Sequence, residues 1–194
     1  MTFLQFLPII HSDLQESKFD PNEWTLKSFK IITSTNDYVK NYLGLNNKII
    51  ALSEIQTKGR GRSNNIWYSP KGGIWLSIGF LCNIDAIELS TPIIKHINEF
   101  LLQYVNSEIK PPNDILINSK KLCGLLVETE TKQNKIKKVI IGIGINYNNN
   151  IPEEISEIAT NLKSHNQSLP DIYNFTSKLI IHILLSLRNY ISDL

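Results

Sequence analysis

Gln56-Thr57-Lys58-Gly59-Arg60-Gly61-Arg62 follows directly on an apolar run at 48–55 and is closed by Trp67 and then Ser69-Pro70-Lys71-Gly72-Gly73. The run in front of it reads as a strand. The loop that leaves this strand alternates two glycines with two arginines. Its backbone can therefore approach a ligand closely while two fixed positive charges stand beside it, which suits a phosphate or a carboxylate. Arginine–glycine alternation also occurs in flexible tails that bind RNA by charge and stacking, so the rest of the chain has to decide.

Outward from the loop, residues 28–32 read as a strand, and Ser34 and Thr35 are capping candidates for a helix at 36–43. Downstream come a strand at 74–81 and a helix at 89–105 with apolar residues at i, i+3 and i+4. A hairpin then pairs 115–118 with 122–128 across Asn118-Ser119-Lys120, another strand follows at 137–145, and an amphipathic helix at 172–191 ends the chain. Strands joined partly by hairpins and partly by helices predict an α+β fold, a mixed sheet with helices on one side. Residues up to about Trp24 are mixed and turn-rich, with a break at Asp20-Pro21-Asn22, so 1–26 is expected as an extended N-terminal arm packed on the domain.

At 194 residues the chain fits one domain with a sizeable core. Lys and Arg total 20 against 18 Asp and Glu, and a net charge of +2 creates no field that selects nucleic acid. Cys82 and Cys123 are too few for a disulfide framework and have no metal-ligand spacing, which fits a reducing cytoplasm. The first residues lack the basic start and small-residue cleavage site of a signal peptide, and no apolar run reaches membrane-spanning length. A soluble, cytoplasmic protein with neither nucleic acid nor membrane as partner is expected.

Four further segments share the order of the chain with the loop: Ser34-Thr35-Asn36, Pro112-Asn113-Asp114, Lys120-Lys121-Leu122-Cys123-Gly124, and Gly142-Ile143-Gly144-Ile145-Asn146. Together, from about 30 to about 146, they closely resemble the catalytic domain of biotin-protein ligases. The resemblance implies a class II aminoacyl-tRNA synthetase-like fold with a largely antiparallel mixed sheet. It implies ATP and Mg2+, with biotin as substrate, and an acceptor lysine on the biotin carboxyl carrier domain of a carboxylase; a homodimer stays open. The N-terminal segment is too short for the winged-helix DNA-binding domain that some members carry. The small C-terminal β-barrel domain usual in the family is expected to be absent or truncated, leaving 1–194 as a single catalytic domain.

The implied chemistry is attack of the biotin carboxylate on the α-phosphate of ATP, then displacement of AMP by the acceptor amine. Both steps gather negative charge near one phosphate, which calls for preorganised cations and N–H donors more than for an acid–base pair. On the resemblance, Lys121 and Arg62 are the catalytic residues. Biotin falls to Ser34, Thr35, Asn36, Gln56, Gly59, Arg60, Trp67, Lys121 and Gly124, and ATP to Arg62, Trp67, Asn113, Lys121 and Asn146. Asp114 is the metal candidate. Ser-Thr-Asn before a helix is also an ordinary N-cap, and both roles can hold at once. Alternation along a strand sends Lys120 and Lys121 to opposite faces, so one of them is expected at the site. Gly142-Ile143-Gly144 lacks the third glycine of a dinucleotide fingerprint, which excludes that reading.

Two positions depart from the family pattern. Ser63-Asn64-Asn65 stands where another glycine and arginine usually precede the tryptophan, and Pro111 replaces a tryptophan before Pro-Asn-Asp. Neither touches Lys121, Arg60 or Arg62. The alternatives are a lipoate- or octanoate-protein ligase or transferase of the same fold, whose loop typically reads Arg-Arg-x-Ser-Gly-Gly-Gly, and a non-catalytic biotin-binding module.

Overall fold

In the computed structural model, which describes residues 6–85 and 87–191, the run before the glycine-rich loop is β2 (Lys48–Gln56) of a seven-stranded sheet. Its neighbours are β1 (Thr25–Ile32) and β3 (Ile74–Asp85), followed by β7 (Lys135–Ile145), β6 (Lys120–Lys132), β5 (Asp114–Ile117) and β4 (Glu108–Lys110). β1 and β2 run parallel and every other pair is antiparallel, the largely antiparallel mixed sheet that was expected. Asn118 and Ser119 join β5 to β6 with φ of 49° and 64°, the left-handed pair that a two-residue hairpin favours.

Alternation sorts each central strand onto two faces. Ile50 and Leu52 of β2, Leu76 and Ile78 of β3, and Ile141 and Ile143 of β7 belong to the main core. Over that core lie α1 (Phe6–Glu16), α3 (Ser90–Leu101), α4 (Ile172–Ser186) and the short α5 (Arg188–Ile191). On the other face, Ile49, Ala51 and Ile140 pack against Val39 and Leu43, which places α2 (Thr35–Tyr42) there. The helices are thus not all on one side: Val39 and Leu43, four apart, meet a second apolar stripe on β2. Gly79 makes room for them, since a Cβ there would sit 2.2 Å from Val39 Cγ1.

The N-terminal segment is a helix and not an extended arm. Phe6, Ile10 and Leu14 recur every four residues and are buried against α4, whose Ser177 hydroxyl bonds to Asp13. Residues 1–5 of the expected arm lie outside the described residues. The expected break is present, with Asp20 accepting from Asn22 N at the head of a 3-10 turn. The last helix, expected to run to 191, ends at Ser186 and resumes after Leu187 as α5. Cys82 and Cys123 are both buried and unpaired, and burial pushes the Cys123 thiol far above its ordinary range. No helix of the described residues is long and apolar enough to cross a membrane.

Candidate active site

On the α2 face a cavity of about 180 Å³ opens between the start of α2, the glycine-rich loop and strands β6 and β7. One end is a ring of small polar groups. Ser34 caps α2, its Oγ accepting from Asp37 N, and the Thr35 amide and hydroxyl donate to Gln56 Oε1 at 2.8 and 3.0 Å. Gln56 Nε2 donates to Ser69 Oγ at 3.0 Å, and Ser77 Oγ lies 2.7 Å from Thr35 Oγ1 and 2.5 Å from Asn36 Oδ1. These contacts fix Gln56, at the exit of β2, against the first turn of α2.

The loop itself is folded back on its own backbone. Trp67 N donates to Gly59 O at 2.9 Å and Gly61 N to Asn65 O at 2.7 Å. A Cβ at position 59 would lie 2.4 Å from Trp67 O, which is why only glycine serves there. Gly59 consequently sits behind the cavity wall, absent from its lining, and acts by letting the chain turn.

Trp67 forms the floor. Gly124 and Gly144 face each other across the β6–β7 ladder, and a Cβ on either would strike the indole, at 2.8 Å from Cζ3 and 2.5 Å from Cε2. Gly142 does the same for Asn36, where a Cβ would come within 2.3 Å of Oδ1. The Gly-Ile-Gly pattern is thus a pair of sockets, one for Asn36 and one for Trp67.

The opposite end carries the cations. Lys121 Nζ is 2.8 Å from Asp114 Oδ1 and 5.0 Å from the Trp67 ring centre. The β5–β6 register slips between Ile115 and Leu116, whose partners are Cys123 and Lys121. This bulge turns both Leu122 and Cys123 into the core and leaves Lys121 and Gly124, three apart, on the cavity face. Lys120 points elsewhere, its Nζ donating to Ser156 O at 2.8 Å. Arg62 Nη1 donates to Asn113 Oδ1 at 3.3 Å, and Asn113 Nδ2 is anchored on Leu125 O at 2.9 Å.

Arg60 is already committed. Its Nη2 lies 2.7 Å from Asp37 Oδ1 and 2.9 Å from Glu128 Oε2, and Glu128 also accepts from Asn36 Nδ2 at 2.9 Å. Burial would raise the Glu128 pKa, but the hydrogen bonds from Asn36 and Arg60 and the charges of Arg60 and Lys40 outweigh it, and the pKa falls below the ordinary value. For Arg60, burial works downward, and Glu128 and Asp37 together hold its pKa above the usual value. Arg60 therefore ties the loop to α2 and β6. Among the described residues, its Nε and the indole Nε1 of Trp67 are buried without a hydrogen-bond partner, two donors that the protein leaves unused.

A second groove, of about 340 Å³, starts at Lys121 and Trp67 and runs along Asn146, Ile151, Ile155, Ile158 and Ala159. The segment that walls it is stitched to the strand carrying the lysine: Lys121 N donates to Ile158 O and Thr160 N to Lys121 O. Asn146 faces this groove and not the cavity; its Oδ1 accepts from Asn149 Nδ2 at 3.1 Å. All other residues picked out from the sequence line the cavity, apart from Gly59. Sequence reasoning missed Ser77, Asp37, Glu128 and the 151–159 wall. An acidic residue in the first turn of α2 and a glutamate within β6 carry no local signal that they will meet one arginine.

A family model described as "Biotin/lipoate A/B protein ligase family" matches residues 28–146. The bifunctional ligase/repressor BirA of Bacillus subtilis is 36% identical over 124 residues, 58% of this chain and 38% of that protein. BirA of Bacillus spizizenii is 34% identical over 155 residues, 74% and 46% of the two chains. The chain thus spans less than half the length of these curated relatives. Among solved structures, the biotin protein ligase of Aquifex aeolicus in complex with biotin and ATP superposes with a TM-score of 0.71 at 30% identity, covering 86% of this chain and 72% of that one.

Proposed function

The chain belongs to the biotin/lipoate A/B protein ligase family, and from that premise we propose that it activates biotin with MgATP and transfers it to a lysine of a biotin carboxyl carrier domain. The observation that carries this reading is the two-ended cavity. Hydroxyl and amide groups at the Ser34–Thr35–Gln56 end suit a ureido ring, and Lys121 and Arg62 at the other end suit a carboxylate meeting a phosphate. The glycine-backed Trp67 between them suits a flat apolar stretch, with the unused indole Nε1 of Trp67 and the Nε of Arg60 as further donors.

In the first step a biotin carboxylate oxygen bonds to the α-phosphorus and pyrophosphate leaves. Negative charge grows on the phosphoryl oxygens, where Lys121 supplies a point charge and Arg62 a charge-assisted hydrogen bond. In the second step the acceptor amine bonds to the biotinyl carbonyl carbon, sheds a proton, and AMP leaves. The apolar groove beside Lys121 has the position and chemistry for the adenine. Magnesium, which keeps several waters and binds through one or two carboxylates plus phosphates, fits the single carboxylate of Asp114 at this end; it would neutralise triphosphate charge. A cytoplasmic setting accords with the free cysteines.

The test is to incubate the purified protein with biotin, MgATP and a carrier domain, with lipoate in parallel. Biotin on the carrier lysine and pyrophosphate release that needs both biotin and ATP are expected. Preferential lipoate transfer would move the chain to the other branch of the family, and biotin binding without pyrophosphate would make it a binding module.

A further inference from the structure

Across the sheet from the cavity, α3 and α4 bring together two imidazoles and a carboxylate that the proposed reaction does not use. His96 and Glu99 lie one turn apart on α3, with His96 Nδ1 3.0 Å from Glu99 Oε2. His182 comes from α4, its ring centre 6.1 Å from that of His96 and the planes 67° apart. One ligating atom of each residue falls within 4.8 Å of the others. Nε2 of His182 is buried and, among the described residues, has no hydrogen-bond partner, a state in which few buried ring nitrogens are left.

We infer that His96, Glu99 and His182 form a binding site for a divalent transition-metal ion of the zinc class, distinct from the magnesium that accompanies ATP. Two imidazoles and one carboxylate select a borderline ion, whereas magnesium asks for oxygen ligands in an octahedron. With metal–ligand distances of about 2.0–2.1 Å, tetrahedral ligating atoms stand roughly 3.3 Å apart. The three groups must close by up to about 1.5 Å, which the exposed Glu99 and half-exposed His96 can do by changing rotamer. Three protein ligands leave the fourth position to water.

The ion would bridge two helices that otherwise meet through apolar contacts, beside Phe100, whose ring centre is 5.7 Å from that of His182. Because the unfolded chain lacks the assembled site, binding adds to folding stability. The catalytic face is on the opposite side of the sheet, so occupancy should change stability and leave the rate of biotin transfer alone.

The experiment is calorimetric and thermal titration of tag-free, full-length protein with zinc chloride, with magnesium chloride as control. One zinc per chain and a melting temperature that rises with zinc concentration are expected, with no rise from magnesium at the same concentrations. His96→Gln and Glu99→Gln, both at accessible positions, should each weaken zinc binding at least tenfold, and His182→Gln should abolish it; His11→Gln should leave it unchanged. Biotin transfer by His96→Gln should match the unaltered protein. Absence of stoichiometric uptake, or equal zinc binding by His96→Gln and the unaltered protein, overturns the site. Should His182→Gln fail to fold, the two surface variants decide.

Discussion

The two faces of the sheet are written in alternate residues of the same strands, yet they follow opposite rules. On β7, Val139, Ile141, Ile143 and Ile145 face the helices and fill the core, while Ile140, Gly142 and Gly144 face α2 and the cavity. On β3, Ile74, Leu76, Ile78 and Phe80 face the helices, against Trp75, Ser77 and Gly79 on the other side. The helical face is solved by volume. The other face is solved by its absence: Gly79 receives Val39, Gly142 receives Asn36, and Gly144 receives Trp67. Glycine in these strands positions the site by lacking a side chain, and loop flexibility has no part in it.

The sharpest way to break this contrast is to put a side chain into a socket. Gly144→Leu would drive carbon into a space where even a Cβ lies 2.5 Å from Trp67, displacing the indole from the floor. Biotin binding measured by calorimetry is expected to vanish while circular dichroism still reports a folded sheet. Retained binding would show that Trp67 is not held by this glycine.

Removing a cation from the same face is the next largest effect. Lys121→Ala should slow adenylate formation roughly 10²–10³-fold, by analogy with the loss of one preorganised transition-state donor. Lys120→Ala, whose ammonium is turned to Ser156 O, should leave the rate nearly unchanged in the same stopped assay. Equal losses would place the bulge at Leu122 wrongly.

Arg62 differs from Arg60 in being held by one neutral side chain, Asn113, and not by two carboxylates. It is therefore the arginine free to grip a phosphate, with a charge-assisted bond of about 1.5–3 kcal/mol. Arg62→Gly should weaken retention of the adenylate roughly ten- to a hundredfold, the equivalent of that energy. Escaped adenylate would label lysines of bystander albumin, read by blotting for biotin. Albumin labelling equal to that by the unaltered protein would assign the phosphate contact elsewhere.

The helical face should respond in a different currency. Ile141→Val, in the core and away from the cavity lining, removes one buried methyl group, a loss of about 0.5–1.5 kcal/mol, and the melting temperature should fall by a few degrees. Transfer rate per folded molecule should stay the same. A fall in rate with no loss of stability would mean that the two faces are not independent.

Much of this was readable in the residue order. The loop, Ser34-Thr35-Asn36 and Lys121 to Gly124 converge on one cavity because each lies at a strand end or helix start, where local pattern is strong. The N-terminal helix was missed although Phe6, Ile10 and Leu14 carry its spacing, because Pro8 and the turn at Asp20-Pro21-Asn22 read as irregular chain. Proline in the first turn costs a helix little, since its missing N–H has no intrahelical acceptor there. The carboxylate pair around Arg60 was hidden because Asp37 and Glu128 are far apart in sequence. The 151–159 wall was hidden for another reason: it is mostly irregular chain, with one 3-10 turn at Glu153–Ile155, and depends on backbone bonds to β6 that no periodicity records.

The central claim is that the glycine-backed face is an adenylation site, and mass spectrometry of the bound fraction tests it most directly. After mixing with biotin and MgATP in the absence of acceptor, and rapid gel filtration, the protein should carry biotinyl-AMP, and the Lys121→Ala variant should carry biotin alone at early times. Recovery of biotin alone from the unaltered protein, at a time when biotin binding is saturated, would contradict the account.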